Sequence, residues 1–289
     1  MIPCIVLLFS SIIPNVAPVS DEKLAAGAGR FEFRHAGKIM PVWYFLPKDA
    51  KPDTQILFVM HGVNRDAQRY RDDWMPLAEK PRFIIVSPEF TRAAFPEDSD
   101  YSQGSVMANN GAPTPRDQTA FSFIEPVFDK VRLLTGNRAK TYSLYGHSAG
   151  AQFVHRFLYF EPTARVSKVV AANAGWWTLP DTSVDFPYGL KGAPGITDRS
   201  LKDILQRPLL VLLGTNDNDP NDKNLNKSKE SMQQGPHRFA RGNYFFKSAQ
   251  RQAKLNGIKL SWQLKTVPGV GHSDSGMSAA AAEWLFGKR

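Results

Sequence analysis

The sequence has a single cysteine, Cys4, in 289 residues. That excludes a disulfide within the chain and a zinc cage of thiolates. A cysteine nucleophile is not expected either, because Cys4 lies in an N-terminal apolar run rather than in a folded motif. Internal repeats and low-complexity blocks are absent. No stretch reaches the about 20 consecutive apolar residues that cross a bilayer, so no stable membrane insertion is expected. The formal net charge is +9, yet the pattern of nucleic-acid binding is missing. Lys223, Lys227 and Lys229 lie among Asn, Asp and Ser with no interleaved aromatics, which is how a basic solvated surface reads.

What is present suits a globular protein. With 42% hydrophobic and 22% charged residues, the chain is too apolar to be disordered and can bury a large core. The run from Ile5 to Ile13 has the length of the apolar core of a signal peptide, and small residues follow, with Ala17 the best cleavage position. No Lys or Arg precedes it. Residues 1–20 are expected to be a signal peptide, with a secreted or periplasmic product. The alternative is a cytoplasmic chain with an apolar N-terminal arm. Residues 28–289 are expected to form one domain.

From about residue 30, strand-like and helix-like segments alternate, which predicts an α/β fold: a mostly parallel twisted sheet of about eight strands with helices on both faces. Phe31 to Arg34 and Met40 to Leu46 read as a hairpin turning at Ala36-Gly37. Buried strands are expected at Gln55 to Met60 and Phe83 to Ser87, and further strands at Lys140 to Tyr145, Val166 to Ala172, Pro208 to Leu213 and Lys259 to Val267. Helical spacing covers Asp66 to Lys80, Thr119 to Leu134 (with Gly136 as C-cap), the segment ending near Phe160, Phe239 to Asn256, and Met277 to Phe286. Residues 91 to about 117, 178 to 200 and 218 to 237 read as loops.

Gly146-His147-Ser148-Ala149-Gly150 fits G-x-S-x-G between a strand end and a helix start. A serine there sits on a sharp, strained turn with its hydroxyl exposed. Side chains two residues before and after it would strike the neighbouring helix and strand, so glycines occupy both positions. Ser148 is thus the candidate nucleophile, and its hydroxyl needs a base. Of the six histidines, His272 alone follows the last strand, in the loop Gly269-Val270-Gly271-His272. His35 falls in the hairpin, His61 before a loop, His147 inside the turn, His155 on the next helix and His237 in a polar insertion. A carboxylate to hold the imidazole is expected after Leu209 to Leu213. Asp217, three residues past Gly214, is preferred to Asp219, with Asp181 third. The backbone N–H groups of Ala149 and Val63 are the candidate oxyanion donors, with Asn64 as the second choice to Val63. Gly62 lets that backbone approach the substrate.

These residues, in the order serine, acid, histidine, resemble the α/β-hydrolase superfamily over about residues 30–289. More narrowly, the chain is similar to bacterial esterases related to polyhydroxyalkanoate depolymerases and feruloyl esterases. The supporting strings are His61-Gly62-Val63-Asn64-Arg65-Asp66, Asn173-Ala174-Gly175-Trp176-Trp177, and Gln234-Gly235-Pro236-His237-Arg238 with Arg241-Gly242. The resemblance implies hydrolysis of a small or oligomeric carboxylic ester through an acyl-enzyme, without a cofactor. Peptidase or amidase action with the same residues is the alternative, and a non-catalytic binding protein the remaining one. The chain departs from the secreted depolymerases in having no disulfide and no evident polymer-binding module. Gly62, Asn64, His147, Trp176 and Trp177 are expected to touch substrate, and Tyr101, Gly104 and Asn109 are candidates for a lid. The oxygen-rich string from Asp217 to Asp222 lacks the spacing of a helix–loop–helix calcium site, so no metal is expected.

Overall fold

The computed structural model describes residues 23–79, 83–108 and 110–287. The expected signal peptide and Asn109 lie outside the described residues. The chain enters its sheet through a hairpin of Gly27–His35 (β1) and Lys38–Leu46 (β2). Ala36 and Gly37 turn it with φ of 48° and 74°. The third strand, Gln55–Met60 (β3), leads to a helix, Ala67–Ala78 (α1), and then to Phe83–Pro88 (β4). A short helix, Asp98–Ser102 (α2), and two 3₁₀ turns precede Ile124–Thr135 (α3), which ends on Gly136 at φ 66°. Tyr142–His147 (β5), Ala149–Phe160 (α4) and Val166–Ala172 (β6) follow. The remainder comprises Asp198–Leu205 (α5), Leu209–Gly214 (β7), Lys229–Gln234 (α6), Arg238–Leu255 (α7), Trp262–Val267 (β8) and Asp274–Phe286 (α8).

The eight strands form one sheet in the order β1-β2-β4-β3-β5-β6-β7-β8. β1 and β2 are antiparallel to their neighbours and the other pairings are parallel. Alternate residues of the apolar strands point to opposite faces. Ile56, Phe58 and Met60 join Leu144, Val169 and Val211 in a core against α3, α4, α5 and α7. Leu57, Val59, Ile85 and Leu210 face the other way, against Tyr70 and Trp74 of α1 and Met277, Ala281 and Leu285 of α8. Because β3, β5, β6, β7 and β8 run parallel, their carboxyl ends share one edge, where an open α/β sheet binds its ligands.

The three expected loops are not wholly irregular. The first contains α2, the second ends in α5, and the third contains α6. Each is short, and none carries the long apolar period that makes a helix visible in sequence. α5 does carry a capping box, in which Thr197 accepts from Ser200 N and Ser200 reciprocates at Thr197 N.

Candidate active site

Ser148 stands between β5 and α4 with φ 58° and ψ −117°, a backbone conformation that non-glycine residues rarely adopt. Its N–H donates to Ala172 O of β6 at 3.0 Å and its C=O accepts from Gln152 N at 3.2 Å. The turn is so tight that a Cβ on Gly146 would collide with the Gly150 carbonyl, and one on Gly150 with the carbonyls of Met60 and His61. Packing against β3 therefore dictates Gly150, and the crossing of strand and helix dictates Gly146.

The loop after β8 brings His272 to this turn. His272 Nε2 lies 3.0 Å from Ser148 Oγ, and Nδ1 lies 2.7 Å from Asp217 Oδ2. A carboxylate only accepts, so the proton belongs on Nδ1, which leaves Nε2 to accept from the serine hydroxyl. The Asp217 side chain is 4% exposed and that of His272 25%, so the carboxylate is buried while the imidazole faces the cleft. Asn173 ties these loops together. Its side chain accepts from Gly214 N at 2.8 Å and donates to Gly271 O at 3.2 Å, one residue before His272. Asp219 is exposed and accepts from Asn221 N within its own loop. Asp181 is occupied by Ser183 and Arg251. Other histidines have structural partners: His35 meets Ser122, His155 bonds Ala151 O and Thr178 N, and His237 caps α7.

The turn after β3 faces the same serine. A Cβ on Gly62 would stand 3.9 Å from Ser148 Cβ. His61, wholly buried, braces this turn. Its Nε2 accepts from Phe90 N at 3.1 Å, so its Nδ1 carries the proton and donates to Gly62 O at 2.9 Å. Burial is the main reason its imidazole is pushed down to about 4, which keeps it neutral. Fixing the Gly62 carbonyl fixes the plane of the Gly62–Val63 peptide, and the Val63 N–H must point the opposite way. On the other side, Ala149 N belongs to the first turn of α4, whose N–H groups have no partner within the helix. The bracing role of His61 is not visible in the sequence, where it precedes the loop as one apolar strand ends.

Two adjoining hollows of about 320 and 470 Å³ meet at Val63, Ser148 and Asn224. Gly62, Asn64 and His147 line the first, and Trp176, Gln152 and Tyr188 the second. His147 is nearly buried, shares a hydrogen bond between its Nδ1 and the Tyr70 hydroxyl at 3.2 Å and sits 4.6 Å, ring to ring, from His272. Trp177 corrects an expectation: it is wholly buried, stacks on Phe245 at 4.3 Å and lines neither hollow. Adjacent residues in a turn point apart, so only Trp176 of the pair reaches the cleft. The lid is corrected too. Tyr101 is 1% exposed and anchored by its hydroxyl to His61 O at 2.8 Å, and Gly104 packs on the Phe121 ring. The same segment supplies a fixed wall through Asp98, Ser99, Ser102 and Gln103.

Two charged residues with no site role visible in the sequence complete the surroundings, Asp274 and Arg238. Asp274, in the first turn of α8, borders the first hollow and accepts from Tyr145 Oη at 2.7 Å. Its burial pushes its carboxyl up to about 7. Arg238 places Nη1 3.3 Å from Asp217 Oδ1, at the oxygen that His272 leaves free. Among the described residues no group of three His, Cys, Asp or Glu is placed to hold a metal ion, and no helix is long and apolar enough to cross a membrane.

No protein-family model matches the sequence, and no curated protein does. Solved structures do match. A poly(aspartic acid) hydrolase from Sphingomonas sp. KT-1 is 45% identical, with TM-score 0.89 over 91% of this chain and 100% of its own. LpqC, a poly(3-hydroxybutyrate) depolymerase from Bordetella parapertussis, is 33% identical, with TM-score 0.87 over 92% of each chain. An S-formylglutathione hydrolase from Agrobacterium tumefaciens shares the fold at 14% identity, with TM-score 0.58 over 91% of this chain and 95% of its own. With relatives this similar over nearly their whole length, the chain belongs to the α/β-hydrolase family, and it is a hydrolase.

Proposed function

We propose that this hydrolase cleaves carboxylic esters through an acyl-enzyme on Ser148. The observation that carries the reading is the pair of contacts made by His272, at 3.0 Å to Ser148 Oγ and 2.7 Å to Asp217 Oδ2. His272 takes the hydroxyl proton as Ser148 Oγ bonds to the substrate carbonyl carbon. The carbonyl oxygen becomes an oxyanion held by the N–H groups of Ala149 and Val63, each worth about 3–4 kcal/mol in turnover. When the tetrahedral intermediate collapses, the carbon–oxygen bond to the alcohol breaks and His272 returns the proton to the leaving oxygen. Water then repeats the sequence and frees the acid and Ser148. The likeness to the poly(3-hydroxybutyrate) depolymerase supports an ester substrate. We also propose that residues 1–20 direct export.

A second reading, hydrolysis of an anionic polyamide, is favoured by a specific observation: the 45% identical relative is a poly(aspartic acid) hydrolase. The net charge of +9 and exposed Lys223 at the rim of the larger hollow suit such a substrate. The experiment is turnover of a short-chain nitrophenyl ester, poly(3-hydroxybutyrate) and poly(aspartic acid) by the purified protein and by Ser148→Ala. Ester turnover that vanishes in Ser148→Ala supports the first reading. Poly(aspartic acid) cleavage with no ester turnover supports the second. Undiminished activity in Ser148→Ala would reject both.

A further inference from the structure

The string from Gln234 to Gly242 has no part in the chemistry above, yet its side chains converge on the loops that carry it. Gln234 clasps the Trp177 backbone, accepting from its N at 3.0 Å and donating to its O at 2.7 Å. Arg241, wholly buried, donates to the carbonyls of Gly175, Asn226 and Gly235 at 2.6, 2.8 and 2.9 Å. Arg238 reaches the acid itself. Its side chain is 3% exposed. Nη1 lies 3.3 Å from Asp217 Oδ1 and 2.9 Å from Asp222 Oδ2, and Nη2 lies 3.2 Å from Asp222 Oδ1. The two oxygens of Asp217 are therefore divided, one for His272 and one for Arg238.

We propose that Arg238 is a positioning residue for hydrolysis, clamping Asp217 against His272, and that Asp222 is the counter-ion that cancels the charge of Arg238 at the imidazole. The inference rests on the reading of Ser148, His272 and Asp217 as the catalytic residues. Arg241 anchors loops through three carbonyls and the Met232 sulfur, with no carboxylate, so anchoring by itself needs none. A buried cation beside Asp217 with no second partner would oppose the imidazolium that forms when His272 takes the serine proton. Asp222 removes that penalty and leaves the planar guanidinium to fix Asp217 by geometry. The shorter contacts go to Asp222, so Asp222 takes the charge and Asp217 stays available to His272. The ion pair is stable across the working range. The hydrogen bond from Arg238 is the main cause that holds the Asp222 carboxyl down to about 2. Burial alone would lower the Arg238 guanidinium, but its bonds to Asp222 and the charges of both carboxylates outweigh that and raise it.

The other titratable groups near His272 are His147, whose ring centre is 4.6 Å away, and Asp66, Arg69, Tyr70 and Asp274 around the same hollow. None is altered in the comparison below. The experiment measures kcat and KM for a short-chain nitrophenyl ester, and the rate of labelling by a fluorophosphonate, across pH 5 to 9. The proteins are wild type, Arg238→Met, Arg238→Lys and Asp222→Asn, with Ser148→Ala as control and thermal melting as the check of folding. Arg238→Met is expected to lower kcat about 10- to 100-fold with KM within about twofold. It leaves Asp222 unbalanced, so the acid limb of the pH profile moves up. Asp222→Asn leaves Arg238 unbalanced and moves the limb down, each by ~0.5 unit or more. Arg238→Lys is expected to recover part of the rate. Limbs that do not move, or that move together, overturn the proposal, as does a loss confined to KM. If Arg238→Met does not fold, Asp222→Asn decides alone, and an unmoved limb overturns it. Wild-type protein that takes no label would instead overturn the catalytic reading beneath it.

Discussion

Replacing Asp274 by Asn isolates the cost of one buried carboxyl. The group is buried, and its folded value of about 7 stands against 3.8 for an unperturbed aspartate. Between those values the folded protein holds a proton that the unfolded chain has released, so stability falls as pH rises, by about 1.4 kcal/mol per unit. From pH 5.5 to pH 8 that is ~2 kcal/mol, with the loss from this group levelling off as pH rises past 7. Asn carries no charge, and its Oδ1 can still accept the Tyr145 hydroxyl that Asp274 Oδ1 accepts at 2.7 Å. Every other titrating group is common to the two proteins. Urea unfolding at pH 5.5 and pH 8 should therefore show Asp274→Asn gaining ~2 kcal/mol on wild type between the two conditions. A difference that is the same at both pH values, or that shrinks at pH 8, would refute the assignment of a buried, protonated carboxyl.

Gly150→Ala would press a methyl group into the Met60 carbonyl; about 1–3 kcal/mol of stability should be lost in urea unfolding, together with ester turnover. Trp177→Ala should cost about 3–5 kcal/mol in the same assay, because the ring is wholly buried against Phe245. Trp176→Ala should instead alter kcat/KM across a series of acyl chains with little change in melting temperature, because Trp176 borders the cleft. His61→Phe removes the donor to Gly62 O and the acceptor for Phe90 N. Its kcat should fall about 100-fold with KM nearly unchanged, the behaviour of a displaced oxyanion donor.

The parts of this molecule that were legible in sequence are those set by short-range rules. The runs Ile56 to Met60, Phe83 to Val86 and Leu209 to Leu213 are continuous and apolar because helices cover both faces, and such runs read as strands. Gly146 and Gly150 flank Ser148 because backbone from the next helix and from β3 occupies the space a side chain would need. Gly136 at the end of α3 is legible for a related reason, its left-handed φ of 66°. What escaped notice depends on where distant loops cross. Arg238 and Asp217 are 21 residues apart, on either side of a polar insertion, and nothing local says that one reaches the other. The same holds for His61 and Phe90, 29 residues apart. Trp176 and Trp177 look alike in sequence, and only the turn after β6 decides that one faces the cleft and the other the core. The contrast between Asp217 and Asp219 had a local clue, the three-residue offset from Gly214, and the turn closes there with Asp217 N donating to Gly214 O at 3.1 Å.

The most direct measurement is to mix the protein with a nitrophenyl ester, quench within the first turnover, and weigh the peptide that spans residue 148. An initial burst of nitrophenol equal to the enzyme concentration is expected, with the mass of the acyl group on Ser148. Turnover of the same ester with no burst and no acylated Ser148, even when the second half-reaction is slowed by low temperature, would contradict the acyl-enzyme mechanism.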